Sequence, residues 1–178
     1  MDYQFLAFKR DVNHIWIGGL INKGMTTPKI LFCNGNNEQW TEYVFENEPD
    51  GRAVDVNFPT NQIGYCLISG SVNKIYKSTD GGYSWQKLPF EIPIGVRSLA
   101  FQDENTGWQS SGKVIYKTTD GGNTWQKEFE AESDIKKLDL YNHWYKVSRA
   151  STMLCVTHDS GESDNLVYLY DWEKFSRI

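Results

Sequence analysis

The chain has 178 residues, of which 39% are hydrophobic and 15% aromatic, and its formal net charge is −5. That length suits one domain with a substantial core, and the acidic balance argues against nucleic acid or an anionic membrane as partner, since both are gripped by basic patches. No window is long and apolar enough for a membrane-spanning helix, and the stretch from Met1 to Arg10 lacks a charged leader followed by an apolar run. A cytoplasmic domain is therefore expected. Cys33, Cys66 and Cys155 are odd in number and each sits in an apolar run, which favours buried thiols over a disulfide framework.

In chain order the sequence falls into four units, approximately 1–48, 49–92, 93–132 and 133–178. Each opens with an apolar strand: Phe5 to Phe8, Val54 to Phe58, Ser98 to Phe101, and Ile135 to Leu140. A polar turn follows, then a second strand carrying an aromatic, read as Trp16, Tyr65, Trp108 and Trp144; Gly64-Tyr65 and Gly107-Trp108 occupy equivalent places. The third strands run over Lys29 to Phe32, Lys74 to Tyr76, Val114 to Tyr116, and Met153 to Val156, each followed by a turn and a fourth strand. Short apolar runs between turn residues mean antiparallel β throughout. The stretch from Glu128 to Lys137 reads as a charged connector.

The strongest signal is a stretch that occurs twice. Lys74-Ile-Tyr-Lys-Ser-Thr-Asp80-Gly-Gly82-Tyr-Ser-Trp85-Gln-Lys returns as Val114-Ile-Tyr-Lys-Thr-Thr-Asp120-Gly-Gly122-Asn-Thr-Trp125-Gln-Lys, with the same offset of 40 residues for Asp and for Trp. A fixed period of this size indicates a repeat architecture. The physics is local: the Asp carboxylate accepts backbone N–H groups as in an Asx-turn, and glycine supplies the positive φ such a turn needs. Ser78 or Thr118 adds a hydroxyl bond, and the Trp buries a large apolar surface, here expected against the next unit.

Ser78, Asp80, Gly82 and Trp85, and again Thr118, Asp120, Gly122 and Trp125, resemble Asp-box repeats, also called bacterial neuraminidase repeats. Thr157, Asp159 and Gly161 are similar to a third copy with Asp164 in place of Trp, and Phe32 to Trp40 is similar to a decayed first copy. In sialidases, sortilin-like receptors and photosystem II assembly-factor-like proteins the box closes the outer hairpin of a β-propeller blade. The resemblance implies an all-β fold, a small β-propeller of about four antiparallel four-stranded blades in a single domain, 1–178. Either the four blades close in one chain, with the N-terminal strand pairing against the last blade beside Leu166 to Tyr170, or an open arc is completed by homodimerisation.

Catalysis is not expected. Sialidases bring three arginines, a Tyr–Glu pair and an acid Asp. The arginines here, Arg10, Arg52, Arg97, Arg149 and Arg177, lack that family's Arg-Ile-Pro setting; Glu91-Ile92-Pro93 has the wrong first residue. No Gly-x-Ser-x-Gly elbow, phosphate-cradling loop or carboxylate pair stands out. His14, His143 and His158 lie away from Cys or His at ligand spacing, so zinc is not expected. Each box offers one carboxylate where calcium wants six to eight oxygens. Neither a cofactor nor a metal is implied.

The expected function is non-catalytic protein binding, because propeller scaffolds are rigid while their loops vary freely. The expected protein is an assembly factor or an inhibitor of the immunity-protein type; the alternative class is a carbohydrate-binding or degenerate glycosidase-like propeller. Links between units share an aromatic–acid pair, Phe45-Glu46, Phe90-Glu91 and Phe129-Glu130, with Glu48 and Glu132 nearby. Opposite the boxes, either each Phe ends a core strand and the acids are merely solvated, or they form an acidic ring with apolar anchors, suited to a basic protein partner.

Overall fold

The computed structural model describes residues 5–11, 14–22, 26–34, 39–49, 51–92, 96–131, 135, 137–141, 144–148, 152–157, 167–171 and 176–177. Four antiparallel sheets follow one another along the chain. The first holds β1 (Phe5–Asp11), β2 (His14–Asn22), β3 (Thr26–Asn34) and β4 (Trp40–Val44). The second holds β5 (Arg52–Asn57), β6 (Gly64–Ser69), β7 (Asn73–Ser78) and β8 (Gln86–Ile92). The third holds β9 (Val96–Phe101), β10 (Gly107–Ser111), β11 (Val114–Thr118) and β12 (Gln126–Glu130). The fourth holds β13 (Lys137–Tyr141), β14 (Trp144–Ser148), β15 (Thr152–Thr157), β16 (Val167–Asp171) and a short β17 (Ser176–Arg177).

Within every sheet each strand pairs with its chain neighbour, so each closes through short hairpins that cost little loop entropy. This departs from the first of the two expected arrangements, in which the N-terminal strand pairs beside Leu166 to Tyr170. β1 pairs with β2, and β16 lies between β15 and β17. Among the described residues no ladder joins the first sheet to the last. The fourth sheet also has five strands instead of four. The supposed connector from Glu128 shortens too, because β12 continues to Glu130; its polar side chains suit an outermost strand. The first strands lie side by side at the centre, β1 against β5, β5 against β9 and β9 against β13.

The core consists of layers between sheets. The middle sheets are covered on both faces, so Gly64 to Ile68 are all buried and the strand lacks a polar alternation. Trp16, Ile30 and Phe32 of the first sheet meet Val56, Phe58, Cys66, Ile68, Tyr76 and Trp85 of the second. Tyr65, Leu67, Ile75 and Leu88 on the second sheet's other face meet Val96, Leu99, Phe101 and Trp125 of the third. Trp108 and Ile115 of the third meet Ile135 and Leu138. Trp85 and Trp125 thus pack against the preceding sheet, not the following one as expected. The reason is local: each indole Nε1–H donates to the carbonyl of its own loop glycine, Gly82 or Gly122, and those glycines abut Trp16 and Leu88 of the sheet before.

Register also corrects one equivalence. Trp16 pairs with Phe32, Tyr65 with Lys77, Trp108 with Lys117 and Tyr145 with Val156. Tyr145, not Trp144, is therefore the fourth sheet's counterpart of Trp16, Tyr65 and Trp108.

Candidate functional site

Two sets of residues stand out from the sequence, and the structure places them at opposite ends of the sheets. The Asp-Gly-Gly loops join β7 to β8 and β11 to β12. In the first, the Gly82 N–H donates to Ser78 Oγ at 2.8 Å and the Ser78 hydroxyl donates to Asp80 Oδ1 at 2.8 Å. Ser84 closes the turn, its N–H donating to Oδ1 at 2.9 Å and its hydroxyl to Oδ2 at 2.6 Å. The second loop repeats every bond: Gly122 N–H to Thr118 Oγ1 at 2.9 Å, Thr118 to Asp120 Oδ1 at 2.8 Å, and Thr124 to both carboxylate oxygens at 2.9 and 2.6 Å. Gly82 and Gly122 take φ of 104° and 89°, which side chains with a Cβ resist.

Both carboxylates are saturated by these donors. Partial burial of Asp80 works to raise its pKa, but the bonds from Ser84, Ser78 and Gly82 outweigh it and hold the carboxyl below the usual range. For Asp120 the Thr124 hydroxyl leads, burial opposes it slightly, and the net direction is again downward. A carboxylate so engaged is a fastener, poorly suited to acid–base work. The loops also tie into their own sheets: Gly81 N–H donates to Gln62 O and Gly121 N–H to Asn105 O, each at 2.8 Å. Thr157 ends β15, while Asp159, Gly161 and the histidines His143 and His158 lie outside the described residues.

The opposite end carries the links, and it differs from the expected acidic ring. Phe45 is buried in the layer between the first two sheets. Glu46 is exposed. Glu48 is only 8% exposed; it pairs with the Lys74 ammonium and accepts the Tyr76 hydroxyl. It is therefore not a surface acid, because the link folds back and the carboxylate is drawn under by two donors. Phe90 and Glu91 belong to β8, with Phe90 half-buried against the second layer; Glu91 pairs in register with Lys74. Phe129 is half-buried against the third layer and Glu130 is exposed beside Lys127, its ion-pair partner. Glu132 lies outside the described residues. The described links are also held by backbone bonds to the preceding hairpins: Phe45 N–H to Pro28 O, Ala131 N–H to Lys113 O and Ile135 N–H to Gly112 O. All three phenylalanines serve the core: Phe45 follows β4, while Phe90 and Phe129 lie within the outermost strands of their sheets and pack on the layers.

The residue-level reading missed a buried polar tie. Asp55 on β5 accepts the Ser98 hydroxyl at 2.7 Å and the Leu99 N–H at 3.0 Å, and Ser98 Oγ in turn accepts the Leu138 N–H at 3.0 Å. One carboxylate and one hydroxyl thus link the central strands of three sheets. The available signal was an acid between two valines, Val54-Asp55-Val56, in a strand otherwise destined for the core. Among the described residues no cluster of three or more His, Cys, Asp or Glu side chains is arranged to hold a metal.

No family model matches the chain, and no curated protein matches it. Solved structures do. A structure of YCF48 bound to D1 peptide superposes with a TM-score of 0.61 at 18% identity, covering 94% of this chain and 59% of that one. YCF48 from Cyanidioschyzon merolae gives 0.66 at 19% identity, covering 99% and 60%. The Pan2 WD40 domain of Neurospora crassa gives 0.55 at 11% identity, covering 98% and 63%. Together with the antiparallel sheets these likenesses show a β-propeller fold. The chain spans about three fifths of the length of each of these structures.

Proposed function

We propose that this chain is a non-catalytic, protein-binding β-propeller that acts as an assembly factor. The observation that carries the reading is the shared fold with YCF48, whose structure holds a D1 peptide. The chemistry of the described residues supports it: the two loop aspartates are consumed as turn fasteners, and the buried acids Asp55 and Glu48 serve packing. What remains for recognition is loop surface on a rigid frame. An inhibitor of the immunity-protein type works by the same means. A basic partner is supported by the net charge of −5 and by exposed Glu46. A cytoplasmic setting is supported by Cys66, a buried free thiol.

The test has two arms on the purified chain. Partners captured by cross-linking in cells are purified and titrated calorimetrically against the chain, at low and high salt. Saturable one-to-one binding to a protein or peptide supports the reading, and weakening with salt supports the basic partner. Saturable binding on a glycan array with no protein partner overturns it in favour of a carbohydrate-binding propeller.

A further inference from the structure

We infer that the outer edge of β12 receives an extended peptide of the partner protein as an added strand, and that a neutral amide side chain of that peptide seats in a cleft beside it. This rests on the protein-binding reading above and names where and how the partner is held. β12 is the outermost strand of the third sheet, and among the described residues β11 is its only pairing partner. Its other edge presents backbone N–H and C=O groups that no described strand meets. The five residues from Gln126 to Glu130 include no proline, so each keeps its N–H; in the matching strand of the second sheet, β8, Pro89 removes one. Such an edge is extended elsewhere in this chain. β17 pairs antiparallel with β16, the fourth strand of its sheet, Tyr170 opposite Arg177 and Asp171 opposite Ser176.

A cleft of about 190 Å³ lies at the start of β12, lined by Lys117, Thr119, Thr124, Gln126, Lys127 and Glu128. Its charges are already balanced. Lys117 pairs with Glu128 at 3.5 Å and stands over the ring of Trp108, whose Nε1–H donates to the same carboxylate at 2.6 Å. Lys127 pairs with Glu130. A charged side chain entering here would displace one of these partners, and an apolar one would strip water from them and return no bond. The side chains of Thr119 and Gln126 are exposed and make no hydrogen bond among the described residues. The Thr124 hydroxyl donates to Asp120, so toward a ligand its oxygen accepts. The cleft therefore offers donors and acceptors together, which matches Asn or Gln, whose amide carries both. In strand addition the main-chain bonds supply affinity and a side-chain pocket supplies selectivity. The charges along β12 guard the same edge against indiscriminate apolar strands.

The test uses the full chain and short peptides displayed on phage, with the enriched sequences then synthesised. These are expected to share one Asn or Gln. On binding, hydrogen exchange should slow at the amides of β12 and stay unchanged at those of β4 and β8. Thr119→Val and Gln126→Leu, both at exposed positions, should each weaken binding roughly three- to tenfold, the worth of one hydrogen bond. Gln86→Leu is the control, because Gln86 pairs with Lys77 as Gln126 pairs with Lys117, and it should leave binding unchanged. Replacing the peptide's amide by Leu or by Asp should weaken binding by a similar factor. Enriched peptides that slow exchange elsewhere than β12 overturn the inference and leave the protein-binding reading standing. Peptides that share no amide, or that bind both cleft variants as well as the unmutated chain, overturn it too. So does a selection that enriches nothing, and the glycan array then decides whether the protein-binding reading falls with it.

Discussion

The rings of Trp16 and Phe58 lie face to face, centroids 3.8 Å apart and planes 10° from parallel, across the boundary between the first and second sheets. Tyr65 and Phe101 repeat the arrangement one sheet further on, at 3.5 Å and 2°. In each case the polar tip of the first ring continues the contact: Trp16 Nε1–H donates to Gly81 O at 3.0 Å, and the Tyr65 hydroxyl donates to Glu104 O at 2.7 Å. A stacked pair with a hydrogen-bonded tip fixes both distance and rotation between neighbouring sheets.

The stacks depend on two glycines. A Cβ on Gly64 would sit 2.3 Å from Phe58, and one on Gly107 would sit 2.4 Å from Phe101, distances that force the rings out of place. Gly64→Ala and Gly107→Ala are each expected to cost roughly 1–3 kcal/mol through overpacking. Gly70→Ala is the control, since its Cβ meets nothing nearer than Val72 O at 3.7 Å. Urea denaturation should show lowered midpoints for the first two and little change for the third.

Trp85 and Trp125 plug the layers from the other side. Trp85→Ala and Trp125→Ala are expected to cost roughly 3–5 kcal/mol each by leaving cavities between sheets. Calorimetric melting checks this, and a change within error for either variant would contradict the packing described.

Asp80 and Asp120 make a prediction about pH. Their folded-state pKa values lie below the ordinary carboxylate value. Their contribution is therefore present above the unfolded-state pKa of about 3.9 and is lost as pH falls through the lower folded-state values. Asp80→Asn and Asp120→Asn should each lower stability by about 1 kcal/mol at neutral pH, the worth of one or two turn hydrogen bonds. The gap between wild type and variant should close in acid, as measured by urea denaturation from neutrality to about pH 3.

Glu48 should behave as a core residue. Glu48→Ala leaves the buried Tyr76 hydroxyl without its acceptor and Lys74 without its counter-charge, at an expected cost of roughly 2–4 kcal/mol. Burial and the bond to Glu48 both hold the Tyr76 phenol protonated, so Glu48→Gln, which keeps an acceptor oxygen, should cost less. Exposed Glu46→Ala should stay within about 0.5 kcal/mol of wild type. Equal effects at Glu46 and Glu48 would contradict the assignment.

The acidic ring illustrates where a linear reading stops. Phe45-Glu46 and Glu48 are neighbours in the chain, yet Phe45 and Glu48 are buried and Glu46 is exposed. The difference is made by Lys74 and Tyr76, on β7 in the next sheet, and no local pattern announces them. Asp55 is the reverse case, an acid in an apolar strand whose partner, Ser98, is remote in sequence and adjacent in space.

The sequence by itself determined the short antiparallel strands, the unit length and the internal bonding of the Asp-Gly-Gly loops. All of these are set by residues within a few positions of one another: a carboxylate capping amides, glycines at positive φ, a tryptophan returning to its own loop. Only the tertiary structure decided which neighbour Trp85 and Trp125 face, which acids are withdrawn from solvent, and that the described strands of the first and last sheets share no ladder. Those outcomes depend on layers between sheets, where the contacting residues are separated by a whole unit. A strand buried on both faces carries no alternation to say which face meets which neighbour. Trp85 and Trp125 are 8% and 9% exposed because each is covered by the sheet before it, a contact that their own loops do not announce.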